Sequence, residues 1–194
     1  MTDKQEVKAF FDSWAPKWDA GMVRNEEVIS TILDNAGVAE GKRVLDVGCG
    51  TGVLIPDYLA RNVFSVTGVD ISCKMTDIAA AKFADPRVKV LCADAETEDI
   101  GRDYDCIVIY NAFPHFSDQE GLISRLAGLL APGGILTVAH GMSRERLAAH
   151  HRGTPDSVSN GLMTAEELAE IFSGSLKVTT IISDDKMYQV AGRK

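Results

Sequence analysis

Short apolar runs alternate with amphipathic stretches along most of the 194-residue chain. Runs rich in β-branched and aliphatic residues indicate strands, whereas apolar positions at helical spacing indicate helices. The predicted strands span residues 43–47, 63–69, 88–91, 106–110, 135–139, 177–182 and 187–191. The predicted helices span residues 26–35, 52–60, 74–83, 119–130 and 165–172.

The order of these elements predicts an α/β fold. Helical or crossover segments separate the first five strands, which is the pattern of βαβ units and a parallel sheet. The run at 106–110 is apolar throughout, as is typical of strands covered on both faces. Only residues 183–186 separate the last two strands, so these should pair antiparallel at one edge. We therefore expect one doubly wound domain, residues 1–194, with a seven-stranded, mostly parallel sheet.

Two segments do not follow the alternation. The first 21 residues form an amphipathic segment that holds both tryptophans, and Pro16 interrupts any continuous helix there. Residues 140–161 are the one long irregular candidate, and loops of that length are often functional or hold a short helix. Such a helix could span residues 143–151, with Ser143 as its N-cap.

Composition narrows the class of protein. With 45% apolar and 25% charged residues, the chain can bury a core, which excludes a disordered chain or a disulfide mini-scaffold. A net charge of −8 disfavours general nucleic-acid binding. No apolar run has the length of a signal peptide or a membrane span. The four cysteines form no C-x-x-C pair, so we expect them to be reduced, with Cys92 and Cys106 in the core, and the protein to be cytoplasmic.

The strongest signal for chemistry is a glycine turn at residues 44–52, VLDVGCGTG. A predicted buried strand leads into Gly48-x-Gly50-x-Gly52 and then into a helix, which allows the backbone to approach a ligand closely. Asp70 ends the second strand 20 residues after Gly50, where a carboxylate accepts hydrogen bonds from ribose hydroxyls. Asp94 follows the third strand. The spacing differs from the G-x-G-x-x-G of nicotinamide and flavin sites.

These motifs, together with the segment LAPGGILTVAH, resemble those of the class I S-adenosylmethionine-dependent methyltransferases, which have Rossmann-like sheets. The resemblance runs from about Phe10 to the C-terminus and implies the strand order 3-2-1-4-5-7-6. Residues 10–19, FFDSWAPKWD, are similar to an N-terminal element of the ubiquinone and menaquinone biosynthesis methyltransferases, with Trp18 in place of a tyrosine. That similarity implies a lid formed by residues 1–21. Packing of Trp14 and Trp18 into the core is the alternative.

The resemblance also implies a cofactor site. Asp46, Gly48 and Gly50 would line the methionyl end of S-adenosylmethionine, with Asn111 near the reacting end. Asp70 would hold the ribose hydroxyls, and Ile71 would pack on the adenine. Asp94 would face the adenine amino group, beside the backbone of Ala95. The residues named for cofactor binding are therefore Trp18, Asp46, Gly48, Gly50, Asp70, Ile71, Asp94, Ala95 and Asn111.

All four histidines lie between residues 115 and 151, close to the predicted ends of strands four and five. Three interpretations stay open. His115 or His140 could be a general base that removes a proton from the acceptor. His115 and His140 could instead bind a divalent transition metal together with His151, or with His150 in its place. The histidines could also be ordinary hydrogen-bonded residues.

The function expected from the resemblance is methyl transfer from S-adenosylmethionine to a small-molecule acceptor, with S-adenosylhomocysteine as the second product. The alternatives are a methyltransferase acting on tRNA or protein, a non-catalytic regulator that binds S-adenosylmethionine or metal, and a nicotinamide dehydrogenase. We expect no membrane association and a monomer or homodimer. The sequence does not identify the acceptor.

Overall fold

The computed structural model describes residues 2–150, 155 and 157–194, with the side chain of His150 left out. Its seven strands are β1 (Arg43–Val47), β2 (Ser65–Asp70), β3 (Val88–Cys92), β4 (Tyr104–Tyr110), β5 (Leu130–His140), β6 (Lys177–Ser183) and β7 (Tyr188–Arg193). Its α-helices are α1 (Lys4–Trp14), α2 (Glu26–Asn35), α3 (Ile55–Ala60), α4 (Cys73–Lys82), α5 (Gln119–Leu129), α6 (Arg144–His150) and α7 (Ala165–Ser173).

The strands form one sheet in the order β3-β2-β1-β4-β5-β7-β6. Strands β1 to β5 pair in parallel, whereas β7 pairs antiparallel with both β5 and β6. The predicted fold class, strand order and C-terminal hairpin are confirmed. The sequence order reverses between β1 and β4, which opens a crevice at the carboxyl ends of these strands.

Helices cover both faces of the sheet, as the continuous apolar strands predict. One core cluster packs α5 and α7 against β4 and β5, through side chains such as Leu126 and Phe172. The other packs α2 and α3 against β1 and β4, through side chains such as Ile32 and Tyr58. This two-sided packing holds the carboxyl ends of the strands in place on a rigid support.

Local sequence signals decide where several helices begin. Ser72 caps α4 by accepting a hydrogen bond from Met75 N–H, and Thr164 and Glu167 form a capping box on α7. Helix α3 begins three residues later than predicted. Residues 51–54 form turns instead, and Gly52 among them has a positive φ of 82°, which a helix does not allow. In the N-terminal segment α1 ends at Trp14, and Pro16 lies in a short 3₁₀ turn.

The expectation that all four cysteines are reduced is wrong. Cys73 and Cys92 form a disulfide bond, and Cys92 is exposed rather than in the core. The apolar run of β3 does not imply burial here, because β3 is an edge strand with a partly exposed face. The prediction holds for Cys106, which is a buried free thiol, as is Cys49.

Candidate functional site

A cavity of about 1260 Å³ opens at the crevice between the carboxyl ends of β1 and β4. Its walls come from the glycine turn after β1, the ends of β2, β3 and β4, and the N-terminal segment above them. Typical ligand sites occupy about 300–1,000 Å³. The cavity therefore has room for a nucleoside-sized ligand and a second small molecule beside it.

The glycine turn forms the floor of this cavity. Gly48 and Gly50 both have positive φ angles, 72° and 53°, which L side chains rarely adopt. A Cβ atom on Gly48 would lie 2.5 Å from Cβ of Ala112, so no side chain fits there. The sequence therefore leaves bare backbone facing the cavity at this turn, as the motif predicted.

Asp70 is placed by the backbone around it. Its Oδ2 accepts a hydrogen bond of 2.9 Å from Gly50 N–H, and its Oδ1 accepts one of 2.8 Å from Ser72 N–H. Burial raises the pKa of this carboxyl. Each oxygen keeps a further lone pair, and Asp70 lines the cavity, so it can accept hydrogen bonds from ligand hydroxyls.

Asp46 lies in β1, below the glycine turn and behind the cavity wall. It is only 2% exposed, and its Oδ2 has no hydrogen-bond partner within the described part of the chain. Burial, and then the charge of Asp70, raise the pKa of Asp46 to about 8. An unpaired buried carboxylate is costly unless a cation compensates it. A positive charge close to this position would therefore be favourable.

Asp94 also lines the cavity, but both of its oxygens already have partners. Its Oδ2 accepts hydrogen bonds from Lys4 Nζ at 2.7 Å and from Thr97 Oγ1 at 3.0 Å, and its Oδ1 accepts one from Glu96 N–H at 2.9 Å. Asp94 thus holds the N-terminal helix against the sheet, a role that the sequence motif did not indicate.

Ile71 and Ala95 complete the same end of the cavity. Ile71 follows Asp70 and offers an apolar surface. The Ala95 carbonyl accepts a hydrogen bond of 2.9 Å from Arg125 Nε, which secures this backbone against α5. The apolar surface beside a row of backbone groups suits a flat heteroaromatic ring.

The N-terminal segment covers the cavity from above. Asp12 accepts a hydrogen bond of 2.6 Å from Ser72 Oγ, and Asp19 accepts one of 2.5 Å from Thr51 Oγ1. Trp18 lies over the glycine turn, since its Nε1 would be 3.9 Å from a Cβ atom on Gly50. Trp18 is still 37% exposed, so its packing is that of a cover rather than of a core residue.

His115 reaches the cavity from a short 3₁₀ turn after β4. Its Nδ1 lies 2.8 Å from the Val158 carbonyl oxygen, so Nδ1 must carry the proton that is donated there. In the neutral ring the lone pair is then on Nε2. The ring also contacts Phe11 of the N-terminal segment edge to face, with centroids 4.9 Å apart.

His140 does not line the cavity, which does not favour the hypotheses that it acts there as a base or a metal ligand. Its side chain is 0% exposed and contacts the ring of Tyr188 at a centroid distance of 6.0 Å. The residue is the last of β5 and pairs with Tyr188 in β7. Its position at the end of a predicted strand placed His140 at the correct edge of the sheet. That position did not show on which face of the sheet its side chain lies.

The metal hypothesis has no further support. His151 lies outside the described residues, as does the side chain of His150. Within residues 2–150, 155 and 157–194, no group of three or more His, Cys, Asp or Glu side chains is arranged to hold a metal ion. His115 lines the cavity and His140 does not, so these two residues are not brought together at it.

The remaining wall of the cavity faces the end of β5 and the β6–β7 hairpin. Asn111 adopts a positive φ of 54°, and its Oδ1 accepts a hydrogen bond of 3.0 Å from Gly141 N–H, which joins the ends of β4 and β5. Arg146 and Lys186 also line this wall. Sequence reasoning missed Lys186, because only tertiary packing brings the hairpin turn to the cavity.

Comparison with known proteins identifies relatives of this chain. Residues 44–134 match the family model described as "Methyltransferase domain". A malonyl-[acyl-carrier protein] O-methyltransferase of Acetivibrio thermocellus is 30% identical over 139 residues, which are 70% of this chain and 49% of the relative. A ubiquinone biosynthesis O-methyltransferase of Coxiella burnetii is 34% identical over 143 residues, 69% of this chain and 60% of the relative.

The solved structure of an N-methyltransferase of Bradyrhizobium japonicum, in complex with S-adenosyl-L-homocysteine, has the same fold. It superposes with a TM-score of 0.77 at 14% identity, over 97% of this chain and 98% of the other. The two curated relatives are longer, and the chain spans only 49% and 60% of their lengths. None of the helices in the described residues has the length and hydrophobicity needed to cross a bilayer.

Proposed function

Since the chain belongs to the S-adenosylmethionine-dependent methyltransferase family, we propose that it transfers a methyl group from S-adenosylmethionine to a small-molecule acceptor. The observation that carries this proposal is the cavity above the glycine turn, with Asp70 held at its wall by Gly50 and Ser72. The O-methyltransferases among the relatives favour an oxygen atom as the site of methylation.

The residues of the cavity fit this cofactor. The free lone pairs of Asp70 suit the two ribose hydroxyls, and Ile71 suits the adenine ring. The partnerless Oδ2 of Asp46 suits the ammonium of the methionyl part. The bare backbone at Gly48 allows close approach at the methionyl end, where any side chain would meet Ala112.

When bound, S-adenosylmethionine supplies a methyl group that its positively charged sulfur already activates. The chain's own task is to orient the acceptor and to exclude water. Trp18 and Phe11 of the N-terminal segment cover the cavity and limit the access of solvent. His115 lines the cavity, and a histidine at this wall can act as the base that takes a proton from an acceptor hydroxyl.

The first experiment is a calorimetric titration of metal-free protein with S-adenosylhomocysteine, with NAD as a separate titrant. We expect binding of S-adenosylhomocysteine, and no binding of NAD. Asp70→Ala should abolish most of the affinity, whereas Asp77→Ala, which removes an exposed carboxylate on α4, should not. Failure of S-adenosylhomocysteine to bind the wild-type protein would refute the proposal.

The acceptor class needs a second experiment. S-adenosylmethionine with a labelled methyl group is incubated with the protein and with small phenols, carboxylic acids, amines and thiols, and separately with bulk tRNA and with protein. Label in a small phenol or carboxylic acid supports the proposal. Label only in tRNA or protein would overturn the small-molecule acceptor, and cofactor binding without any transfer would favour a regulator. Repeating the assay with zinc, nickel or iron(II) tests the metal hypothesis.

A further inference from the structure

A disulfide bond connects two of the cavity's walls from outside. It joins Cys73, the first residue of α4, to Cys92, the last residue of β3, with their Cα atoms 4.9 Å apart. Both residues are exposed, so a reductant in solution can reach the bond. The loop that the bond closes contains α4 and β3, and its ends are 19 positions apart in sequence.

Each half of the disulfide is adjacent to a wall residue. Cys73 lies two positions after Ile71, and Cys92 lies directly before Ala93 and Asp94. Ile71, Ala93 and Asp94 all line the cavity. Cys92 Sγ lies 3.9 Å from the Ile71 carbonyl oxygen, so the bond touches the backbone of that wall. The cross-link therefore sets the distance between the loop after β2 and the loop after β3.

Apart from the cross-link, the direct contact between these two loops is the end of the β2–β3 pairing, and the first helix contacts both of them through Asp12 and Lys4. Cys92 lies opposite Asp70 in the β2–β3 pairing, and Ala93 N–H donates a hydrogen bond of 3.0 Å to the Asp70 carbonyl oxygen. Beyond this point the parallel pairing ends, and β3 has no neighbour on its other side. The end of an edge strand frays more readily than a central strand, so the cross-link lies at a place where it restricts motion.

We propose that the Cys73–Cys92 pair is a redox site that controls the affinity of the cavity for its cofactor. In the oxidised form the cross-link holds Ile71 and Ala93 at the spacing that receives the adenine ring. In the reduced form the loop after β3 moves away from the loop after β2. Cofactor binding must then bring the two loops back to their spacing, which weakens the affinity. This inference rests on the proposed function, because it concerns the same cavity.

The step needs a dithiol reductant, and its electrons balance. A thiolate of the reductant attacks one sulfur of the pair, the S–S bond breaks, and a mixed disulfide forms. The second thiol of the reductant then displaces the protein sulfur and leaves as part of a disulfide. Cys73 and Cys92 together gain two electrons and two protons. Cys49 and Cys106 are already thiols, so they consume no reductant, and their burial keeps them from exchanging with the pair.

The test compares the affinity for S-adenosylhomocysteine of the oxidised protein with that of protein reduced by dithiothreitol, each freed of reagent. We expect reduction to weaken binding on the order of five-fold, since the walls lose their preorganisation. A portion of each sample is then denatured and its thiols are titrated. The oxidised protein should contain two thiols and the reduced protein four. The double variant Cys73→Ser/Cys92→Ser should bind as the reduced protein does and should not respond to dithiothreitol.

Each outcome has a distinct meaning. Equal affinities of oxidised and reduced wild-type protein would overturn the redox site and leave the proposed function standing. Four thiols in the protein after exposure to a mild disulfide oxidant would also overturn it. Absence of binding in both forms would mean that the proposed function itself has failed, and the redox site with it. The wild-type comparison remains decisive if the double variant does not fold.

Discussion

Lys4 Nζ lies 2.7 Å from Asp94 Oδ2 and 3.1 Å from Glu96 Oε2, which ties the first helix to the loop after β3. The residues are 90 positions apart, and the contact lies beside the cavity. The same end of the helix is also held by Asp3 N–H, which donates a hydrogen bond of 2.7 Å to the Ser157 carbonyl. Near the other end of the helix, Asp12 accepts a hydrogen bond of 2.6 Å from Ser72 Oγ, so the helix is anchored at both of its ends.

Removal of the Lys4 charge should loosen this cover. We expect Lys4→Gln to weaken S-adenosylhomocysteine binding two- to five-fold, because partly exposed ion pairs contribute about 0.5–1 kcal/mol. The effect should shrink at high salt, where the wild-type pairs are screened. Calorimetry at low and high ionic strength measures both effects. Lys177→Gln, which removes the same charge from the exposed start of β6, should leave the affinity unchanged.

Cofactor binding should release a proton from Asp46. The pKa of its carboxyl is about 8 in the free protein, so the group is mostly protonated at pH 7, and pairing with an ammonium lowers that pKa. The affinity for S-adenosylhomocysteine should therefore rise as the pH increases towards 8. Titrations at pH 7 in buffers of different ionisation enthalpy give the number of protons released. Asp46→Asn should release none, and equal release by both proteins would contradict the assignment.

The same group makes a prediction for stability. The folded pKa of Asp46 is raised from 3.8 to about 8. Between these values the unfolded chain binds fewer protons at this position than the folded chain, so stability decreases as the pH rises. In the absence of ligand, Asp46→Asn should remove this contribution to the pH dependence of the free energy of unfolding. Chemical denaturation at pH 5 and pH 8 compares the two proteins, and an unchanged difference would count against a raised pKa.

The close approach of the glycine turn can be separated from its backbone angle. Gly48 and Gly133 have similar φ angles, 72° and 77°, but only Gly48 has a neighbour where its Cβ would lie. In both alanine variants the positive φ should lower the free energy of unfolding by about 1–2 kcal/mol. Gly48→Ala should lower the free energy of unfolding further, because its new methyl group would also collide with Ala112. The same variant should bind S-adenosylhomocysteine more weakly. Denaturation and calorimetry of both variants give the difference.

The disulfide should stabilise the fold as well as the cavity. Closing a loop with a sequence separation of 19 restricts the unfolded chain, which corresponds to about 3 kcal/mol. We expect dithiothreitol to lower the free energy of unfolding of the wild-type protein by this amount and to leave Cys73→Ser/Cys92→Ser unaffected. Urea denaturation with and without reductant measures the change. A wild-type curve that does not shift would show that the bond contributes little.

His115 should matter for the reaction and not for cofactor binding. With an acceptor hydroxyl that must lose its proton, His115→Gln should lower kcat by about 10²–10⁴-fold, the contribution of a well-placed general base. The affinity for S-adenosylhomocysteine should change little, because the proposal places His115 beside the acceptor and not beside the cofactor. Steady-state kinetics on an acceptor from the labelled-methyl assay gives kcat. A fall in cofactor affinity alone would instead indicate a structural role through Phe11.

The strands and their order were predictable because each depends on local pattern and on the topology rules of α/β sheets. The bounds of β1 agree with the prediction, and those of β5 extend beyond it at both ends. The run LAPGG looks like a turn in sequence, but in the structure its residues belong to the start of β5. Tyr104 pairs with Leu130 across a register irregularity, a contact that no local signal encodes.

By itself the sequence determined the glycine turn, the position of Asp70 and the C-terminal hairpin, since each follows from residues close together along the chain. Tertiary structure alone decided the burial of His140, the pairing of Cys73 with Cys92, and the contact of Lys4 with Asp94. These three depend on which face a side chain turns to and on how separate elements pack. Hydrophobic periodicity does not specify either property for residues at the ends of strands.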